Sequence, residues 1–136
     1  MRSFQKTVEA FLAAENERKW SICEQFIHEE VEYHLIGEDA PVRGKKNYMD
    51  RMKKTYVELS DWKFTIMNLL STTDRVIVEF DGRGNFKGRY EEKEYEGTPL
   101  RLSAVCIFQE KEGLIGEERE YWDPIGFEKQ LKRKTD

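Results

Sequence analysis

The sequence predicts an α+β fold in which helices pack on one face of an antiparallel sheet. Two observations carry the prediction. Apolar residues recur at helical spacing between residues 4 and 56, interrupted by a short stretch of alternation, and then at every second position from Trp62 to Asp123. Composition agrees: hydrophobic residues are 38% and aromatic ones 12% of 136 residues, enough for one packed core and too short a chain for two. One domain spanning 1–136 is expected.

Ser3 is a good N-cap, and Phe4, Val8, Phe11 and Leu12 behind it line one face of a first helix. Ser21 and Glu24 have the spacing of a capping box, which predicts a short second helix ending near His28. Val31 to Ile36 alternates and reads as a strand. The segment from Gly37 to Gly44, with Pro41, reads as a loop. Tyr48, Met49, Met52 and Tyr56 then mark a third helix. Four consecutive antiparallel strands follow: Trp62 to Leu70, Arg75 to Phe86, Thr98 to Gln109 and Leu114 to Asp123. Pro124 and Gly126 stop the last of them, and Ile125, Phe127 and Leu131 predict a short closing helix.

A net charge of −4 disfavours nucleic acid as a partner, because phosphate binding draws on clustered Lys and Arg. The one basic cluster, Lys129 to Lys134, sits at the end of the closing helix, where cations complement the helix dipole. Cys23 and Cys106 lack CxxC spacing and read as reduced thiols of a cytoplasmic protein. The start MRSFQKTVEAF has no signal-peptide apolar run, and no stretch approaches the ~20 apolar residues of a membrane span, so neither export nor membrane insertion is expected. Gly82, Gly84 and Gly88 have the wrong spacing for a dinucleotide fingerprint. His28 and His34 lie outside any HExxH or Cys/His set, so neither a metal nor another cofactor is expected.

The strings YHLIGEDAPVRG (Tyr33 to Gly44), VEFDGRG (Val78 to Gly84) and REYWDP (Arg119 to Pro124), with the element order above, carry a resemblance over nearly the whole chain. The chain resembles the nuclear transport factor 2-like superfamily. The first string is similar to the SnoaL-like polyketide cyclase branch, and the other two to the phenazine-biosynthesis A/B proteins. The resemblance implies a cone-shaped curved sheet with three N-terminal helices on its concave face, the cystatin-like α+β roll. It also implies a small-molecule pocket at the open end and a homodimer formed through the outer sheet face. The superfamily includes ketosteroid isomerase, limonene epoxide hydrolase and polyketide cyclases as well as non-catalytic binding modules, so the fold alone does not choose between them.

Four ionisable residues are candidates for acid/base catalysis. Asp123 lies where the resemblance to limonene epoxide hydrolase and the cyclases places their aspartate; the competing reading is an N-cap for the closing helix. Glu120 matches the acid/base glutamate of the phenazine-biosynthesis proteins, but has the opposite strand parity to Asp123 unless a bulge intervenes. Asp81 shares a strand face with Glu79, and two close carboxyls in a pocket push their pKa values apart. The alternative is that both face solvent beside Arg83. His34 falls where ketosteroid isomerase has its aspartate, and imidazole titrates near neutrality. The preferred orientation is His34 inward, with Tyr33 and Leu35 on the other face.

For substrate binding, Glu79 and Arg101 are candidate polar contacts, the latter to clamp an acidic group or neutralise Glu79. Tyr48, Trp62 and Tyr121 are candidates for an aromatic wall, as is Tyr56, although such stripes also serve as plain core. One departure is plain: limonene epoxide hydrolase uses an Asp-Arg-Asp trio, and its Arg position holds Glu79 here. Together these readings predict a cofactor-free isomerase, cyclase or hydratase/hydrolase acting on a small, partly hydrophobic molecule. The rival is a non-catalytic ligand-binding or assembly module.

Overall fold

Where alternation is longest, the sheet is longest. The computed structural model describes residues 3–133; Met1 and Arg2 of the starting segment, and Lys134 at the end of the basic cluster, lie outside them. Helix α1 (Phe4–Asn16) is capped by Ser3, whose hydroxyl accepts from the Lys6 amide. It is followed by a single helical turn α2 (Trp20–Cys23) and a 3-10 turn (Glu24–Phe26). Strand β1 (Ile27–Leu35) pairs with the two-residue β2 (Val42–Arg43), and α3 (Lys45–Glu58) crosses back. Four strands then run in succession: β3 (Lys63–Ser71), β4 (Arg75–Tyr90), β5 (Lys93–Lys111) and β6 (Leu114–Trp122). Helix α4 (Pro124–Leu131) ends the described chain.

These strands form one sheet in the order β2-β1-β6-β5-β4-β3, antiparallel except that β1 runs parallel to β6. The sheet curves and does not close, with its ends at β2 and β3. Val76, Val78 and Phe80 of β4, Cys106 and Phe108 of β5, Ile115 of β6 and Val31 of β1 face the concave side and pack against α1 and α3. Ile77, Glu79 and Asp81 occupy the convex side, as period-two geometry requires. A second apolar cluster, Phe86, Tyr95, Leu100, Phe127 and Leu131, seats α4 on the outer reach of β4 and β5.

Three local expectations differ. Ser21 lies inside α2 and Lys19 holds the cap position without a side-chain bond, so the capping-box spacing is not used. The charged, Gly-flanked segment between Phe86 and Thr98 separates two strands in the sequence reading; the strands instead continue through it to a turn at Glu91 and Glu92, because Tyr95 buries against Phe86. The Gly37–Gly44 segment contributes β2, since Val42 and Arg43 pair with Tyr33 and Glu32.

One irregularity decides the site. In β6, Glu117 pairs with Gln109 and Ile115 with Glu110, leaving Gly116 as an extra residue. A Cβ at Gly116 would lie 2.4 Å from the Lys111 Cβ, so the bulge requires glycine. Beyond the bulge the parity of β6 is inverted: Ile115, Glu118, Glu120 and Trp122 share the concave side, while Glu117, Arg119 and Tyr121 face out.

Candidate active site

Between the concave face and helices α1 and α3 lies a cavity of about 330 Å³, lined largely by aromatic and aliphatic side chains. Four glutamates line it, Glu58 of α3 among them, and three carry tyrosine-bonded carboxyls: Glu15 from the C-terminal turn of α1, and Glu118 and Glu120 from alternate positions of β6. A tyrosine hydroxyl donates to each of these three. Tyr56 Oη–H donates to Glu15 Oε2 at 2.6 Å, Tyr48 to Glu118 Oε1 at 2.5 Å, and Tyr33 to Glu120 Oε1 at 3.0 Å. Tyr48 and Tyr56 lie two turns apart on one face of α3, which explains why both reach in. Tyr33 projects from β1 because its register partner is the inward Glu118.

Burial dominates the electrostatics. Glu118 is 7% exposed, and its carboxyl is pushed up to about 8, first by desolvation and then by the charges of Glu120 and Glu15. Desolvation likewise raises Glu15 to about 7, against the Tyr56 bond that lowers it. Glu120 is raised for the same reason, and the Tyr33 bond and the Arg51 charge oppose the rise. The three tyrosines are held above the ordinary phenol range by burial and the neighbouring glutamates, so they remain donors at neutral pH. Arg51, on α3, is engaged outward by Glu38.

Cys106 Sγ and one oxygen each from Glu118 and Glu120 lie within 4.8 Å of one another, a grouping of donors that has the size of a metal site. Its chemistry fits poorly. Burial drives the Cys106 thiol far above its usual range, the thiol donates to Glu118 Oε2 at 3.5 Å, and both carboxyls are engaged by phenols.

Of the residues singled out from sequence, Glu120, Tyr48 and Trp62 line the cavity, as does Tyr56. The others lie elsewhere, each for a physical reason. Asp123 follows the last strand and is exposed, its Oδ1 accepting from the Gly126 amide at 2.8 Å as the N-cap of α4. Asp81 and Glu79 are convex because Phe80 and Val78 take the core side; Asp81 meets Arg101 at 3.1 Å and Arg83 at 3.6 Å, and Glu79 accepts from Asn68. The Arg101 hydrogen bond holds Asp81 below the usual carboxylate range. Arg101 is therefore outside the cavity and neutralises Asp81 rather than Glu79. His34 is convex, 3.4 Å from Glu32, since Tyr33 and Leu35 are the inward residues of β1. Tyr121 is 41% exposed on the outer face.

Glu118 and Glu15 were not singled out. Glu118 shares the parity of Glu120, which is a signal present in the sequence. Glu15 reads there as part of the polar face of a surface helix, and only the fold brings it inward.

Trp62 depends on a glycine. A Cβ at Gly82 would stand 2.2 Å from the Trp62 ring, so the indole lies flat against bare β4 backbone. Gly82→Ala is expected to displace the ring and to cost about 1–3 kcal/mol, read as a lower urea-unfolding midpoint. An unchanged midpoint would mean that Trp62 is not held there.

The fold recurs in known structures. A SnoaL-like polyketide cyclase from Agrobacterium tumefaciens superposes with a TM-score of 0.82 at 18% identity, covering 96% of this chain and 99% of its own. IdmH from Streptomyces antibioticus gives 0.84 at 19%, covering 97% and 100%. TsrD from Streptomyces laurentii gives 0.80 at 22%, covering 94% and 93%. No curated protein matches the sequence significantly. The family model for SnoaL-like polyketide cyclase matches residues 5–131, and the chain belongs to that family, within the nuclear transport factor 2-like superfamily.

Proposed function

We propose that the cavity is the active site of a cofactor-free enzyme that moves protons on a small, partly hydrophobic carbonyl-bearing or cyclic molecule, as an isomerase, cyclase or hydratase/hydrolase does. The observation that carries this reading is the pair Glu118 and Glu120. Two carboxyls on alternate β6 residues enter one apolar cavity, each already receiving a phenol hydrogen bond. A buried pair cannot readily hold two charges, so near neutrality it retains a proton. Glu118, held up to about 8, is suited to stay protonated and donate to a substrate oxygen. Glu120 then takes the proton from carbon, and the cavity's aromatic walls keep water from levelling the two roles.

The test uses α-tetralone in D2O, with loss of the α-hydrogen signal followed by NMR. Wild-type protein is expected to speed exchange over an equal concentration of free acetate, and Glu120→Gln to reduce that rate by roughly 10²-fold or more. Exchange no faster than acetate, or untouched in Glu120→Gln, overturns the assignment.

The convex face supports a homodimer. Leu70, Ile77, Ile107, Val105 and Tyr121 are register neighbours there, with Leu70 and Ile77 well exposed. Ile77→Glu is expected to halve the mass measured by light scattering on a sizing column; an unchanged mass removes this face as the interface. The free buried thiols Cys23 and Cys106 support a reducing, cytoplasmic setting. Among the described residues no helix is long and apolar enough to cross a membrane.

A further inference from the structure

The charge inside the cavity is one-sided. Glu15, Glu58, Glu118 and Glu120 line it, and none of the four has a Lys, Arg or His nitrogen within ion-pair distance among the described residues. The one guanidinium among the lining residues, that of Arg51, is turned to Glu38. Arg18 directs its Nη donors to the backbone oxygens of Glu15, Asn16, Ser60 and Trp62, its Nε is buried without a partner among the described residues, and it lies over the Tyr56 ring, 3.9 Å from its centroid; its charge lowers the Glu15 carboxyl from beyond ion-pair distance. Buried carboxyls without a cation are costly. Glu15, Glu118 and Glu120 have each also kept bonding capacity, because a carboxylate offers about four lone-pair sites and its tyrosine fills one. Most of the remaining lining is aromatic or aliphatic, and Tyr33, Trp62, Phe64, Phe80 and Phe86 present rings to the same space. A ring face attracts a cation and an apolar skeleton alike.

We propose that the molecule this cavity takes is a protonated hydrophobic amine, its ammonium lodged against Glu15 and its apolar body among the rings, so that its reacting carbon lies toward Glu118 and Glu120. This rests on the reading of the cavity as the active site. Glu15 is the carboxyl assigned to the ammonium for two reasons. It stands in the last turn of α1, where the helix dipole already favours positive charge. It also lies outside the β6 pair, which leaves the shared proton of Glu118 and Glu120 in place for chemistry. An anionic ligand of the same shape is excluded by repulsion from the same groups.

Three probes with one skeleton separate charge from shape: adamantylamine, adamantanol and adamantane carboxylic acid, titrated into the full-length protein by calorimetry at neutral pH. The amine is expected to bind roughly tenfold tighter than the alcohol or better, with no measurable binding of the acid. In Glu15→Gln the amine should fall to the alcohol's affinity while the alcohol binds as before, which also shows that the variant is folded. Alcohol or acid binding as tightly as the amine overturns the inference, as does an amine preference that survives Glu15→Gln. Absence of binding by all three probes overturns it too. The acid/base reading stands or falls separately, on exchange of α-tetralone: an alcohol that binds without amine preference, together with intact exchange, removes the amine and leaves the enzyme.

Discussion

Raising the pH from about 5 to about 8 is expected to destabilise the folded protein by on the order of a few kcal/mol, against the usual trend for carboxylates. The sign follows from the direction of the shifts. Glu118 titrates in the folded state at about 8 and Glu15 at about 7, both raised from 4.5, and Glu120 is raised as well. Between those values the native state holds protons that the unfolded chain has released, so unfolding becomes easier with every increment of pH. The stabilisation is fully present below the unfolded value and gone above the folded one. The exposed acids held low, such as Asp50 and Asp61, act only below their ordinary value of 3.8 and leave this window untouched. Urea unfolding across the range gives the slope directly. Glu118→Gln, which accepts the Tyr48 hydroxyl without a charge to bury, is expected to flatten it and to exceed wild-type stability at about pH 8. A slope that is flat or rising in wild-type protein would sink the account of the cavity as a site whose burial keeps protons on its carboxyls.

A site that lowers stability at neutral pH is the kind of local conflict that marks function in a sequence otherwise consistent with its fold. Much of that consistency is legible in one dimension. Val76, Val78 and Phe80 alternate with Ile77, Glu79 and Asp81, and the apolar set alone fixes which side of β4 is core. The same rule turns Glu79 and Asp81 outward, so the alternation already argues against them as pocket acids. In β1 both faces carry polar and apolar residues; the inward choice of Tyr33 and Leu35 over His34 is made by their β6 partners Glu118 and Glu120, which no local pattern reveals. The Gly116 bulge has the largest effect. Counting by twos from Ile115 puts Tyr121 and Asp123 inside; the extra residue puts Glu118, Glu120 and Trp122 there instead. A glycine in a strand hints at such a bulge, but its parity effect becomes visible only when Lys111 is seen packed where a Cβ would be. Glu15 is out of reach for a different reason: α1 presents it to a cavity that exists only after α3 and the sheet have met.

If desolvation is what raises Glu118, then opening the wall beside it should change the pH slope as well as the stability. Phe108 is the place to do so. It is 1% exposed, sits opposite Glu118 in the β5–β6 register and packs edge-on against Phe11 with centroids 6.2 Å apart. Phe108→Ala removes a buried ring and leaves a void, a change that costs about 3–5 kcal/mol at acid pH. The void adjoins the cavity at its carboxyls, so water can enter and find partners in Glu118 and the Tyr48 hydroxyl. A hydrated Glu118 ionises more readily, so the loss relative to wild type is expected to shrink as pH rises. Leu131→Ala supplies the contrast. It is a comparable deletion of about 2–5 kcal/mol in the second cluster, away from the carboxyls, and should shift the whole profile down without changing its slope. Parallel profiles for wild type and Phe108→Ala would mean that repulsion from Glu120 and Glu15, rather than the dry aromatic wall, keeps Glu118 protonated. The catalytic assignment would then rest on charge coupling within the triad alone.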